Sequence, residues 1–273
     1  MLADLHTHTI YSDGLLTPEE LFKKAKAVGI KALSITDHDT LEGNIGAREI
    51  AKQYDIDFIE GIEMSCFDSQ NEYHILGYGI DITDTALNKH IEEFKIKRLE
   101  RAEIITKRLH SLGININFND VVDKAGSAPI TRPHIAQVIM ESGYVSSTKE
   151  AFNLYIGDSG PAFEVKAVFQ VEKAISMINA AGGVAVIAHP GYSVTQKKLF
   201  KFIETGLDGI EVYHPLHTKK LRREFHSIAN QYWLLETGGS DFHGDRYNEK
   251  EIFGQEGVPL MTLQQIRKRL IKR

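Results

Sequence analysis

The sequence predicts an α/β fold of alternating strands and helices, either closed as a barrel or wound as an open sheet. Seven short apolar runs recur along the 273 residues, each ending near a charged or imidazole residue. Most are followed by a segment whose apolar residues repeat at helical spacing, so the pattern reads as a series of βα units. The length also suits a single α/β barrel, since these commonly run to 200–250 residues as one domain.

Residues 2–6 form the first run. Thr17-Pro18-Glu19-Glu20 then starts a helix, with Thr at the cap, Pro at the first position and acids in the first turn. Leu21, Ala25 and Val28 give that helix an apolar stripe, and Gly29 stops it. Further runs lie at 31–36, 56–62 and 73–80. They are rich in Ile, Val, Leu and Tyr without strict alternation, which suits strands buried on both faces, as in a parallel sheet. Residues 84–112 read as one long charged helix. Residues 113–165 then carry turn signals, among them Gly126-Ser127, Gly157-Asp158 and Ser159-Gly160-Pro161. This is too long for a connection, so it reads as a mainly helical insertion between strands four and five, placed to act as a lid. The rhythm resumes with runs at 183–188, 207–213 and 232–236. Helical segments lie at 171–181, 195–205, 218–230 and 262–272, and in the third of these Leu221, Phe225 and Ile228 fall on one face. The expected division is a barrel domain of 1–98 and 165–273, with an insertion of 99–164.

Composition excludes several classes. A hydrophobic content of 42% with 25% charged residues excludes bulk disorder, collagen-like fibre and coiled coil. No apolar run reaches the ~18 residues of a membrane span, and Met1–Ile10 has neither the basic flank nor the apolar core of a secretory signal. A single cysteine, Cys66, excludes an internal disulfide framework and suits a reducing cytoplasm, so a cytoplasmic location is expected. Cys66 itself reads as a small core residue. The net charge of −5 argues against a broadly basic nucleic-acid surface.

The histidines carry the chemistry. His6 and His8 are two apart after the first run, so on extended chain both rings point the same way. Asp13 follows in a turn that can fold its carboxylate back over the strand end. His38 follows the second run and Glu63 the third, His74 lies in the fourth, and His189 follows the fifth. Asp241 and His243, again two apart, follow the seventh. Ligands gathered at the ends of separate strands are how barrel enzymes build their sites. Imidazoles and carboxylates without a thiolate suit a catalytic Zn²⁺, Mn²⁺ or Fe²⁺ site better than a closed structural zinc.

These phrases resemble, in order, the motifs of the PHP (polymerase and histidinol phosphatase) family of metal-dependent phosphoesterases. The residues that carry the resemblance are DLHTHT with the downstream SDG, TDHDT, GIEMS, HILGY, AHPG and SDFH. It covers about residues 2–98 and 165–245 and implies a distorted (β/α)7 barrel holding two or three divalent ions (manganese, iron or zinc). By that resemblance His6, His8, Glu63 and Asp241 hold one ion. Glu63 shares a second with His74 and His189, and Asp13, His38 and His243 hold the third. Many relatives have histidine where this chain has Asp13. The Asp form resembles small stand-alone members active on nucleotides, including 3′,5′-nucleoside bisphosphate phosphatases, which also carry an insertion here.

Three divalent ions outweigh three carboxylates, so the cleft would attract a phosphate dianion despite the net negative chain. A metal-bridging water that ionises near neutral pH is the expected nucleophile, with Glu63, Asp13 and His38 acting through the metals. Asp37 and Asp39 flank His38 and read as residues that orient ligands. In Thr131-Arg132-Pro133-His134, Arg132 suits bidentate phosphate binding. Its alternative is a surface arginine at a helix start, with Pro133 as the first helical residue. The resembling subgroup has the same phrase here, which assigns Arg132 and His134 to the substrate. His214, after the sixth run, is either a substrate contact or a structural strand-end histidine. Lys219, Lys220, Arg222 and Arg223 read as a solvated helix face. The expected reaction is hydrolysis of a phosphomonoester of a small nucleotide, foremost the 3′-phosphate of a 3′,5′-nucleoside bisphosphate. Short oligonucleotides are further candidate substrates, and no membrane or obligate protein partner is inferred. The alternatives are a histidinol-phosphate phosphatase, a 5′-3′ exonuclease on short oligonucleotides, and an inactive metal-stabilised binding module.

Overall fold

A computed structural model describes residues 2–67, 71–165, 167–191, 194–244 and 252–272. The chain divides into two compact units, one of Met1–Lys89 with Val168–Arg273 and one of His90–Ala167.

The first unit is built on one sheet. Its strands are β1 Leu2–Asp4, β2 Ala32–Ile35, β3 Asp57–Phe67, β4 Glu72–Tyr78, β5 Val184–Ile187, β6 Gly209–Tyr213, β7 Leu235–Gly238 and β8 Val258–Pro259. They lie in the order β7-β6-β5-β4-β3-β2-β1-β8. β1 to β3 are mutually parallel, as are β5 to β7, but β4 is antiparallel to both its neighbours. The reason is the connection from β3 to β4. Only residues 68–71 separate them, and a parallel partner needs a crossover of a dozen residues or more. The sheet closes on itself beyond the strand ends. Leu5 N donates to Gly238 O (3.2 Å), Asp241 N to His6 O (2.9 Å) and His8 N to Phe242 O (2.9 Å). The expected (β/α)7 barrel is thus present. β8 is an addition of two residues, too short to leave a pattern in sequence, paired antiparallel to β1.

The helices outside the sheet follow local rules. α1 Pro18–Ala27 has a full capping box, in which Thr17 and Glu20 bond each other's backbone N–H. Its buried face is Pro18, Leu21, Phe22 and Ala25. Val28, expected in the apolar stripe, is the C-cap and stands 45% exposed. α2 Ala47–Gln53 completes this side, where Leu21, Phe22, Leu33, Ile35 and Phe58 form a core with Phe242. Inside the sheet Leu5, Ile59, Leu76, Tyr78 and Val186 pack together. Cys66 is fully buried, as expected.

α3 Thr85–Ser111 leads into the second unit. α4 Phe118–Ala125, α5 Arg132–Glu141, the short α6 Thr148–Ala151 and a π-helical turn over Phe152–Ile156 follow. That unit has its own core, with Ile105, Leu109, Ile116, Val121, Ile135 and Ile139 at its centre. α7 Val171–Ala180, α8 Gln196–Thr205, α9 Lys219–Tyr232 and α10 Leu260–Ile271 return to the first unit. On α9 the buried residues are Leu221, Phe225 and Ala229, while Ile228 is half-buried. Among the described residues no helix is long and apolar enough to cross a membrane.

Candidate metal centre

His6 and His8 leave the end of β1 in extended chain, so both rings face one side, with centroids 5.2 Å apart. Thr7 between them faces the other way, and its hydroxyl donates to Ser34 O at 2.7 Å, tying this segment to β2. The following loop is gathered by Asp37. That carboxylate accepts from Thr9 N (2.7 Å), Thr9 Oγ1 (2.6 Å) and Ser12 Oγ (2.6 Å). The loop thereby presents Asp13, whose Oδ1 lies 3.4 Å from His243 Nε2. Asp39 accepts from Ser65 N at 2.7 Å. Both aspartates therefore order the backbone around the site.

Glu63 is the centre of the arrangement. It lies inside the eleven-residue β3 rather than after it, a correction to the sequence expectation. Its Oε2 is 3.2 Å from His6 Nε2, 3.3 Å from His8 Nε2 and 3.1 Å from His38 Nδ1. Its Oε1 is 2.8 Å from His74 Nδ1 and 3.0 Å from His189 Nε2. Asp241 Oδ1 is 3.0 Å from His8 Nε2 and 3.3 Å from His6 Nε2. Among the described residues, donor atoms lying within 4.8 Å of one another form four overlapping groups. They are His6, His8, Glu63 and Asp241; His8, Asp13, His38 and His243; His38, Glu63 and His74; and His6, Glu211 and His214.

His214 is buried, with Nε2 3.4 Å from Asp241 Oδ2. The fold therefore sets it among the candidate donors. Arg132 and His134 lie in the second unit. α5 starts at Arg132, one residue earlier than expected. The Arg132 guanidinium lies over the rings of Phe152 and Phe163 and pairs with Asp158 Oδ1 at 2.6 Å. His134 is buried, and its Nδ1 accepts from Thr131 N at 3.1 Å, closing the N-terminus of that helix. Arg222, read as part of a solvated face, instead donates to His217 O, His214 O and Glu256 and secures the loop after β6. Glu211 escaped the sequence reading altogether. Its signal was an acid in mid-strand among Ile210 and Val212, where no solvent waits for it.

Electrostatics set neighbouring imidazoles apart. Burial opposes a charge on His74, but Glu63 and Glu72 on either side outweigh it and raise its pKa to about 10. At His38 burial wins over Glu63 and Asp13, and the pKa falls to about 3. The carboxyls of Glu63, Asp13 and Asp241 are also buried, which alone would raise their pKa values. The surrounding imidazoles reverse this and hold all three well below the usual range.

Divalent cations fit this cluster. His6 Nε2, Asp13 Oδ1, His38 Nδ1, Glu63 Oε2 and His74 Nδ1 are buried and make no hydrogen bond of good geometry. Buried polar atoms are rarely left in that state, and these converge on common points. Nitrogen and oxygen donors of this kind suit zinc, manganese or iron. Backbone strain collects here too: Asp39, His189 and Asp241 have φ of 52°, 25° and 53°, sparsely populated values for non-glycine residues.

A family model described as the PHP domain matches residues 4–111. A 5′-3′ exoribonuclease of Haemophilus influenzae is 36% identical over 245 residues, 88% of this chain and 89% of that protein. A 3′,5′-nucleoside bisphosphate phosphatase of Chromobacterium violaceum is 32% identical over 262 residues, 94% of this chain and 92% of its own. A solved structure from Bifidobacterium adolescentis, assigned as a metal-dependent phosphoesterase, superposes with a TM-score of 0.91. It is 29% identical and covers 99% of this chain and 98% of its own. With the histidine-and-carboxylate cluster at the end of a closed α/β barrel, these likenesses show that the chain belongs to the PHP family of metal-dependent phosphoesterases.

Proposed function

We propose that this phosphoesterase removes the 3′-phosphate of a 3′,5′-nucleoside bisphosphate, using two or three divalent ions. The observation that carries the hydrolytic reading is Glu63, a fully buried carboxylate facing five imidazoles. The nucleotide comes from the Chromobacterium violaceum relative. When bound, the ions supply an activated water and positive charge for the phosphoryl oxygens. The protein's part is placement. Glu63 sets His6 and His8 against one of its oxygens and His74 and His189 against the other. We assign His6, His8, Glu63 and Asp241 to one ion, Glu63, His74 and His189 to a second, and Asp13, His38 and His243 to a third. Arg132 and His134 take the second phosphate in this reading, and His214 lies beside the reacting group. The reaction is assigned to the cytoplasm, where nucleotides are turned over. A second reading, stepwise 5′-3′ hydrolysis of short oligoribonucleotides, is favoured by the Haemophilus influenzae relative.

Phosphate release with Mn²⁺ present tests both. The panel is a 3′,5′-nucleoside bisphosphate, histidinol phosphate and a 5′-phosphorylated oligoribonucleotide, with nucleotide products resolved by chromatography. Release from the bisphosphate exceeding that from histidinol phosphate at least tenfold supports the proposal. Mononucleotides released from the oligomer at a comparable kcat/KM support the second reading. No turnover of any of the three would overturn both.

A further inference from the structure

We infer that Glu211 is the positioning residue of the metal centre, one buried carboxylate that fixes the ring of His6 and the backbone of His189 together. This rests on the proposed reading of His6 and His189 as ligands. Glu211 is fully buried in β6, and both its oxygens are occupied. Oε1 lies 2.9 Å from His6 Nδ1, and Oε2 accepts from His189 N at 2.6 Å.

The first contact decides a tautomer. Glu211 Oε1 is placed to accept from His6 Nδ1, so that nitrogen carries a proton. Nε2 is then the ligating atom, and it faces Glu63 Oε2 at 3.2 Å and Asp241 Oδ1 at 3.3 Å. With the opposite tautomer Nε2 would carry a hydrogen and could not bind a cation.

The second contact acts on the main chain. His189 has φ of 25°, where a non-glycine residue stays only if its surroundings hold it. A short bond from its N–H to a buried carboxylate does so. His189 Nε2 then reaches Glu63 Oε1 at 3.0 Å, and its ring stacks on that of His6 at 5.7 Å. The register of β6 against β7 shifts between Glu211 and Tyr213. Such a bulge re-aims a side chain, a device common beside active sites. One carboxylate thus sets the aim of a donor in each of two proposed ion sites. Glutamine cannot replace it, because an amide has one accepting end and its NH₂ would face an N–H of His6 or His189.

Wild type and Glu211→Gln are stripped with chelator. Zn²⁺ affinity is then measured by competition with a chromogenic chelator, alongside the melting temperature of the metal-free proteins. The variant is expected to bind Zn²⁺ on the order of 10- to 100-fold more weakly. Its metal-free melting temperature should fall by roughly 2–12 °C, since one buried N–H loses its acceptor. A lower metal-free melting temperature with unchanged affinity would show a carboxylate that only supports the fold, and would overturn the inference. If Glu211→Gln does not fold, Glu211→Asp is read in its place; it keeps the charge but draws it back by one methylene, and unchanged affinity overturns the inference in the same way. Wild type binding less than one Zn²⁺ per chain defeats the ligand assignment itself. Normal binding by wild type and variant alike defeats only the role of Glu211.

Discussion

Asp4 and Ser240 are joined by two hydrogen bonds, Ser240 N to Oδ1 at 2.9 Å and Ser240 Oγ to Oδ2 at 2.6 Å. His6 N donates to the same Oδ1 at 3.3 Å. The pair sits between the two histidine-bearing phrases, so it sets Asp241 and His243 against His6 and His8. Packing at this point is tight: a Cβ on Gly239 would collide with His6 N and Asp4 Oδ1. Burial raises the pKa of Asp4 to about 7 against the hydrogen bonds from Ser240 and His6. Asp4→Ala would strand three buried donors at about 1–3 kcal/mol for each unsatisfied group, less whatever relaxation recovers. Taking about 3 kcal/mol as the net cost, the melting temperature should fall by roughly 6–12 °C. Calorimetry reads this directly, and a shift under about 2 °C would contradict it.

Glu63→Gln should abolish turnover while leaving the fold. The amide retains the volume but not the charge that faces five imidazoles. Residues one step further from a metal already cost 10- to 100-fold, so the loss in kcat here should exceed about 100-fold. Circular dichroism should match wild type. Wild-type kcat in a metal-loaded variant would contradict the assignment.

Removal of metal should destabilise the protein reversibly. At a free ion concentration 100 times Kd, each site contributes about 2.7 kcal/mol, so chelation should lower the melting temperature by roughly 5–10 °C per site. Reconstitution should restore it, with two or three ions per chain by elemental analysis. Fewer than one ion after reconstitution would contradict the centre described above.

Arg132→Ala tests the substrate side. A charge-assisted contact with a phosphate contributes about 1.5–3 kcal/mol, or roughly 10- to 150-fold. The loss in kcat/KM should therefore be large for a 3′,5′-bisphosphate and small for an aryl phosphate, with metal content unchanged. Equal losses on both substrates would move Arg132 to the reacting phosphate. No loss on either would leave it a structural partner of Asp158, Ile156, Phe152 and Phe163. Asp158→Ala separates these further, since it removes the pairing while keeping the guanidinium.

Sequence made the strand ends legible because each apolar run stops where a histidine or carboxylate begins. Its misses share one cause, since pattern reports neighbours along the chain and not across it. Glu211 meets His6, 205 residues away, and nothing beside it in sequence reveals that contact. The apolar run ends before Glu63 and so predicts it past its strand, yet pairing with β4 carries β3 on to Phe67. Val28 and Ile228 fit a helical stripe, but Phe22 and Ala229 are the buried residues, because the sheet beneath decides which side is covered. Arg222 looked solvated because the carbonyls it holds exist only once the loop after β6 has formed.

The closure of the sheet between His6–His8 and Asp241–Phe242 has a bearing on biosynthesis. Asp4, which clasps Ser240 and leads directly into His6 and His8, is made 236 residues before its partner. At roughly 5–20 residues per second, the nascent chain carries those histidines for about 10–50 s before the partner strand exists. Asp13, His38, Glu63 and His74 are made within that interval, before the strand that closes the ring around them. Under the proposed ligand assignment, an ion taken up before then meets a half-built cup, and full metal loading waits on the short segment that carries Ser240, Asp241 and His243.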